Sequence, residues 1–321
     1  MYLFISGGID MTKLKDEVLI LMSTYNGEKY IKEQIESIEK QVLDIPLNIL
    51  VRDDGSKDNT IKILNELNNK YNNIKILEGE NVGCNESFFK LFQYASGYKY
   101  YAVSDQDDIW LDHKIVRGIE KIKKEDQSIP ILYGSCSYLM DNEYNIKGTT
   151  QKVIRNISLN NTIIQNFVPG HSEIFNDALL QLLKTNLDYK RIYVYDYWIT
   201  NVAMVYGKII FENEPSTKYR IHNSNTVGYG KSKFQWVKER LKRFKKGDGS
   251  TITSQIKYFY EINKDNISND YKKEIEKFIS SNNNFFKRCG FVFKTKLYRQ
   301  KKLETFLFKI AYLFGKYKNG Q

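Results

Sequence analysis

Four short apolar runs set the frame of this chain: Val18 to Ser23, Leu47 to Val51, Ile74 to Leu77 and Tyr100 to Val103. Each is too short for a typical helix and reads as a strand buried on both faces. A polar or acidic turn breaks each run. After the first three, apolar residues recur at helical spacing: Ile31, Ile35, Ile38 and Val42, then Ile61, Leu64, Leu67 and Tyr71, then Phe88, Leu91, Phe92 and Ala95. Strand–helix alternation of this kind calls for right-handed crossovers and an α/β fold with a mostly parallel sheet. Ligands of such sheets collect at the carboxyl ends of the strands. Those ends carry Ser23 and Tyr25, Asp53 and Asp54, Asn81 and Gly83, and Asp105 and Asp107. Polar and acidic side chains therefore converge on one edge, four strands in a row.

The fourth turn is the most informative. Ser104-Asp105-Gln106-Asp107-Asp108-Ile109-Trp110 places three carboxylates within four residues. Carboxylates so close repel one another unless a cation sits between them. Hard oxygen ligands at a turn suit Mg²⁺ or Mn²⁺, ions that usually share their coordination with substrate phosphates. Asp105 and Asp107 thus read as a D-x-D grip on a metal–diphosphate. Alternatively, an acidic turn simply caps the next helix. The first loop is not G-x-G-x-x-G, and no G-x-x-x-x-G-K-[ST] occurs, so neither a dinucleotide fingerprint nor a P-loop is present.

The chain has 321 residues and a net charge of +11, unevenly placed. Residues 231–321 hold 23 Lys and Arg against 8 Asp and Glu, a net +15, whereas residues 1–230 hold 26 against 30, a net −4. This shift separates a nearly neutral body from a basic region over 231–321, two parts with different partners. Cys84, Cys136 and Cys289 are widely spaced with no C-x-x-C, which fits a reducing cytosol rather than a disulfide framework or zinc site. Residues 1–9 lack a basic n-region, and no apolar run approaches the length of a membrane span.

Taken together, Ser23-Thr24-Tyr25-Asn26-Gly27, Val51 to Thr60 (VRDDGSKDNT), Glu80-Asn81-Val82-Gly83 and the DQDDIW stretch resemble family 2 glycosyltransferases of the GT-A fold, a Rossmann-like architecture. Tyr195-Asp196-Tyr197-Trp198 and the YRIHNSNTVG segment beginning at Tyr219 look most like the bacterial rhamnosyltransferase-like subgroup. The resemblance covers roughly residues 17–230, which it makes the catalytic domain, with an N-terminal extension over 1–16 before it and the basic helical region over 231–321 after it. It implies an inverting, metal-dependent transfer from a nucleotide-sugar donor, dTDP-L-rhamnose or else a UDP-hexose, to a saccharide acceptor in surface or capsular polysaccharide synthesis.

Residue by residue, the resemblance makes Ser23 and Tyr25 the first nucleotide loop, with the ring against the base. It makes Asp54 an acceptor for the pyrimidine N3–H, with Asp53 beside it; as an alternative, one of the pair caps the helix before Thr60. Gly83 belongs to the donor loop, where Ser87 stands in place of the family's usual Asn. Asp105 faces ribose or metal, and Asp107 is the direct metal ligand. Asp108 reads as a cap for the helix carrying Ile115, Ile119 and Ile122. Trp110 either walls the sugar pocket or is core. Gly170 and His171, in the turn Asn166 to His171 below the acceptor, and Trp198 are acceptor-side candidates. Asp196 is the base that deprotonates the attacking hydroxyl, provided burial offsets the helix N-terminus that would weaken it. Arg220 would neutralise phosphate, and His222 would complete the metal shell.

Two rival functions are weighed. A nucleotidyltransferase would want a Gly-rich basic first loop, which Ser23 to Gly27 is not. A nucleic-acid-binding protein would use the basic end, but the presumed cleft is acidic, so no nucleic acid is expected as partner. At that basic end, Phe234, Val237, Leu241 and Phe244 share a helical face flanked by lysines. Leu303, Phe306, Leu307, Ile310 and Phe314 repeat the pattern. Such faces either lie on an anionic bilayer, where a lipid-linked acceptor would be met on the cytoplasmic side, or pack on the body or a second subunit.

Overall fold

The computed structural model describes residues 14–221 and 248–318. Strands β1 (Lys15–Thr24), β2 (Leu47–Asp53), β3 (Ile74–Glu78) and β4 (Tyr98–Ser104) form where the apolar runs predict them. Helices α1 (Ile31–Glu39), α2 (Thr60–Tyr71) and α3 (Cys84–Tyr94) connect them. The strands are parallel in the order β3-β2-β1-β4. The chain steps outward from β1 to β3, then returns to the other side of β1. That reversal opens the ligand crevice between the ends of β1 and β4.

The second half of the sheet is mixed. It contains β5 (Ile109–Trp110), β6 (Ile131–Met140), β7 (Ile146–Thr149), β8 (Ile174–Asn176) and β9 (Lys208–Arg220). β8 runs antiparallel to β4, β6 antiparallel to β8, β9 parallel to β6, and β5 antiparallel to β9; β7 pairs the far part of β6. β9 is longer than the expected Lys208–Phe211 strand. It runs on through Pro215, and its register against β6 breaks at that place, where a missing N–H is tolerated.

Side chains alternate across the sheet, so each face has its own core. Val18, Ile20 and Met22 of β1 pack with α1, α2 and helix α4 (Lys114–Lys123). Leu19 and Leu21 pack on the other face with α3, α6 (Asp177–Leu183) and α7 (Tyr195–Tyr206), beside the one-turn helix α5 (Leu159–Thr162).

Four further helices follow: α8 (Asp248–Asn263), α9 (Asn269–Ser280), α10 (Phe285–Lys294) and α11 (Lys302–Leu313). They belong to the same core as α3 and α7. Trp198 of α7 stacks on Tyr258 and meets the edge of Phe259, both of α8, with ring centroids 5.4 Å away in each case. Gln300 Nε2 donates to Asn161 Oδ1, and the Gln300 backbone N–H donates to Gln165 Oε1, tying the segment before α11 to the body. The expected boundary after residue 16 falls inside β1, which already begins at Lys15, whereas the one near 230 falls outside the described residues. The amphipathic pattern at Phe234 to Phe244 lies wholly outside them. Among the described residues no helix is long and apolar enough to cross a membrane.

Candidate active site

The nucleotide side is built on a buried arginine that sequence reasoning missed. Arg52 Nη1 lies 2.5 Å from Asp54 Oδ1 and donates to Ser87 Oγ at 2.8 Å, and Ser87 Oγ is 2.6 Å from Ser23 Oγ. Arg52 Nη2 donates to the carbonyl of Glu80. Asp54 also accepts the N–H groups of Val82 and Gly83, through Oδ1 and Oδ2. The buried Asp54 carboxylate therefore holds the Asn81–Gly83 turn in place. Ser87 supplies the link between Ser23 and this network. Gly83 has φ +84°, a conformation that favours glycine, and it opens α3.

Asp53 is also structural in place. Oδ1 accepts the N–H groups of Gly55 and Ser56, and Oδ2 accepts the Ser56 hydroxyl. Neither Asp53 nor Asp54 caps α2; Asp58 does the local work by accepting the N–H and hydroxyl of Thr60 through Oδ1. Tyr25, by contrast, is 44% exposed, with its ring open to solvent. Gln106, the middle residue of the D-x-D, clasps the first loop. Its Oε1 accepts the Thr24 hydroxyl and the Tyr25 N–H, and its Nε2 donates to the Tyr25 carbonyl.

Asp105 and Asp107 leave the end of β4 half-buried. Burial raises Asp105 to about 7, reinforced by the nearby charges of Asp107 and Asp196. Asp108 does not cap α4, whose preceding residue is His113. It is buried: Oδ1 accepts the Arg220 N–H at 3.0 Å, while Oδ2 has no hydrogen-bond partner. Ligand atoms of Asp105, Asp108 and His171 lie within 4.8 Å of one another. An orphaned carboxylate oxygen, clustered acids and a turn of hard oxygen donors all fit a divalent cation. His222 lies outside the described residues.

Lys114 is the counter-charge beneath this cluster, and the sequence reading did not single it out. It is wholly buried, donates to the His171 carbonyl and to Thr217 Oγ1, and lies 3.7 Å from the Trp110 ring centroid. Burial pushes it down to about 7, against the pull of Asp108 and Asp105. Trp110 is therefore core, supporting Lys114, and not a pocket wall.

His171 is also buried. Its Nε2 is 2.8 Å from Ser137 Oγ, its Nδ1 is 4.0 Å from Asp105 Oδ2, and its ring stacks on Tyr219. Burial and Lys114 push it down to about 3, so it is neutral and backs Asp105 instead of meeting an acceptor. Gly170 is required by protein, not by sugar: a Cβ there would lie 2.0 Å from Tyr195 Oη. Trp198 is 1% exposed under α8, which corrects its expected place against an acceptor. Arg220 is held by Glu33, 2.5 Å from Nη2, with Tyr30 and Tyr144 rings around its guanidinium, and its Nε donates to the Asp107 carbonyl. It thereby fixes the acidic loop.

Asp196 sits in the first turn of α7 but is not its cap. Oδ2 accepts the Gly170 N–H at 3.0 Å, and Oδ1 accepts the Tyr197 N–H at 2.7 Å. Burial nevertheless raises it to about 6 against these hydrogen bonds. Desolvation outweighs the helix N-terminus, the condition the sequence reading set for a base. Glu173 was missed altogether. It is wholly buried, neither oxygen has a hydrogen-bond partner, and burial with Asp196 and Asp105 nearby pushes it well above the carboxylate range.

A three-plus-one parallel half-sheet, a mixed second half and an acidic loop at the switch point define a GT-A glycosyltransferase. Residues 19–184 match the sequence profile of Glycosyl transferase family 2, and the chain belongs to that family. It is a glycosyltransferase. Over 104 residues it is 40% identical to the dTDP-rhamnosyl transferase RfbG of Shigella flexneri, a match spanning 31% of this chain and 36% of that one. It is 30% identical to an uncharacterised glycosyltransferase of Methanocaldococcus jannaschii over 65% of this chain and 72% of the relative. Among solved structures, S. aureus TarS 1–349 in complex with UDP superposes with TM-score 0.56 at 19% identity, covering 88% and 76% of the two chains. A Pyrobaculum calidifontis mannosyltransferase in complex with GDP-Man and Mn²⁺ gives TM-score 0.55 at 16% identity, covering 95% and 86%.

Proposed function

We propose that the protein transfers L-rhamnose from dTDP-L-rhamnose to a saccharide acceptor, with inversion at the anomeric carbon, in the synthesis of a surface polysaccharide. The observation that carries this is Asp196: a carboxylate raised to about 6, aimed by the Gly170 N–H and close enough to Asp105 to raise it in turn. A carboxylate with that pKa is ionised at neutral pH and still basic enough to take a proton from a hydroxyl as it attacks. Asp105 and Asp107 would hold Mg²⁺ or Mn²⁺, and the family resemblance offers His222 to the same shell; the ion, when bound, neutralises charge on the leaving diphosphate. Tyr25 offers its ring to the base, and the Arg52–Ser87–Ser23 network keeps the first loop and the Asn81–Gly83 turn in register around the nucleotide.

The donor assignment draws on the similarity to the Shigella rhamnosyl transferase. A UDP-hexose is the second reading, favoured by the TarS complexes with UDP and UDP-GlcNAc. The acceptor would be lipid-linked and met at the inner face of the cell membrane. A panel of nucleotide sugars with Mg²⁺ or Mn²⁺, scored by nucleotide diphosphate release, tests the reading. Release from dTDP-L-rhamnose that is abolished by chelator is expected. Turnover of a UDP-hexose alone would replace the donor, and metal-independent transfer would overturn the role of Asp105 and Asp107.

A further inference from the structure

Two helices at the carboxyl end of the chain lie side by side and antiparallel. Arg288 Nε donates to the Leu313 carbonyl at 2.9 Å, and the Phe291 ring is 4.5 Å from the Tyr312 ring. Their inner faces are settled: Phe291, Phe308, Ala311 and Tyr312 are buried, with Phe278 and Tyr317 among them. Each helix carries a second apolar stripe that nothing in the chain's described residues covers. On α10, Phe286 and Phe293 are seven residues apart, hence on one face, and are 81% and 86% exposed. On α11, Leu303, Phe306, Ile310 and the terminal Phe314 follow at helical spacing and are all exposed. Six large apolar side chains in contact with water on one helix pair mark an interaction surface.

The charge around the stripes selects the occupant. Residues 285–318 carry ten Lys and Arg against a single acid, Glu304. Glu304 is buried, and seven of the lysines are exposed, among them Lys287, Lys294, Lys301, Lys302 and Lys316. A second copy of this face would bring like charges together. The chain's own segment 231–247 holds eight Lys and Arg against one acid, so it too has the wrong sign. Aromatic rings flanked by lysines match an apolar phase beneath a sheet of negative headgroups.

We propose that the α10–α11 face is a docking surface for an anionic lipid bilayer. Phe286, Phe293, Phe306 and Phe314 enter the acyl boundary, and the lysines lie at headgroup level. This deepens the peripheral location proposed above and shares no residue with the assignment of Asp196. Because α8 and α11 are part of the common core, the test uses the full chain and point variants, not a truncation.

Phe306→Trp provides a fluorescent reporter on the face. With phosphatidylglycerol vesicles at low salt its emission shifts to the blue and the protein co-sediments, while phosphatidylcholine vesicles do neither. Removing one exposed lysine, as in Lys294→Ala or Lys302→Ala, weakens vesicle binding about fivefold. Phe293→Ser with Phe286→Ser abolishes the co-sedimentation. Nucleotide diphosphate release to a soluble acceptor is unchanged in all of them, so failure here and failure of the catalytic reading are separate results. An unshifted emission with anionic vesicles overturns the proposal. So does a blue shift that follows protein concentration without lipid, accompanied by dimers in sedimentation.

Discussion

The backbone N–H of Gly170 lies 3.0 Å from Asp196 Oδ2, and Tyr195 occupies the space where any larger residue at 170 would place its Cβ. The turn and the first residues of α7 are thus fitted to one another. Gly170→Ala is expected to displace Tyr195 and with it the carboxylate, lowering kcat much more than donor affinity. Single-turnover kinetics beside nucleotide titration would read the split; equal losses in both would mean that the turn serves folding only.

Asp196→Asn keeps a hydrogen-bonding side chain but removes the proton acceptor. Turnover is expected to fall by about two to four orders of magnitude with donor affinity nearly unchanged. Only the ionised form accepts a proton, and Asp196 is raised to about 6, so wild-type activity is lost as pH falls through about 6. A pH–rate profile flat down to pH 5 would remove Asp196 from the chemistry.

Asp107→Ala is expected to abolish metal-dependent nucleotide binding while circular dichroism and melting stay close to wild type. Calorimetric titration of the nucleotide with Mg²⁺, Mn²⁺ or chelator makes the measurement. Undiminished binding by the variant in chelator would rule out the D-x-D reading.

Arg52→Met leaves Asp54 buried without its partner, and Arg52 and Asp54 side chains are only 6% and 3% exposed. Breaking such a pair costs about 3–5 kcal/mol. Denaturant unfolding should show that loss, together with weakened nucleotide binding because the Asn81–Gly83 turn is released. A loss below 1 kcal/mol would show the network to be dispensable.

Glu173 holds its proton in the native state well above the ordinary value of 4.5, while the unfolded chain releases it near that value. The native state therefore binds more protons, and this group makes stability fall as pH rises above about 4.5. Glu173→Gln keeps the shape and removes the titration. Its melting temperature should decline less between pH 5 and 7 than that of wild type; identical slopes would mean that Glu173 is ionised in the fold.

The first four strands, their helices and the acidic edge were legible because each depends on local pattern: short β runs, helical spacing and turns at fixed places. Asp105, Asp107 and Asp196 stood out as candidates because each lies in a short acidic or aromatic motif. Arg52, Gln106, Lys114 and Glu173 did not. A buried charge in a strand or turn has no periodic signature, and its worth lies in partners far along the chain, such as Ser87 for Arg52 and Thr217 for Lys114. Trp198 was misplaced, and Trp110 left between pocket and core, for the same reason. An aromatic beside a motif looks like a pocket wall until the elements covering it, Lys114 and α8, are in position.

By itself the sequence determined the alternation of elements, the edge on which polar and acidic side chains gather and the carboxylates available there, because backbone propensity and side-chain chemistry act over a few residues. Only the tertiary structure decided how those carboxylates differ. Burial raises Asp196 to about 6 and Asp105 to about 7, Lys114 sits under the cluster, and the α10–α11 face remains turned to water. Desolvation and electrostatic coupling depend on distance in space, and contacts made across the whole chain set those distances.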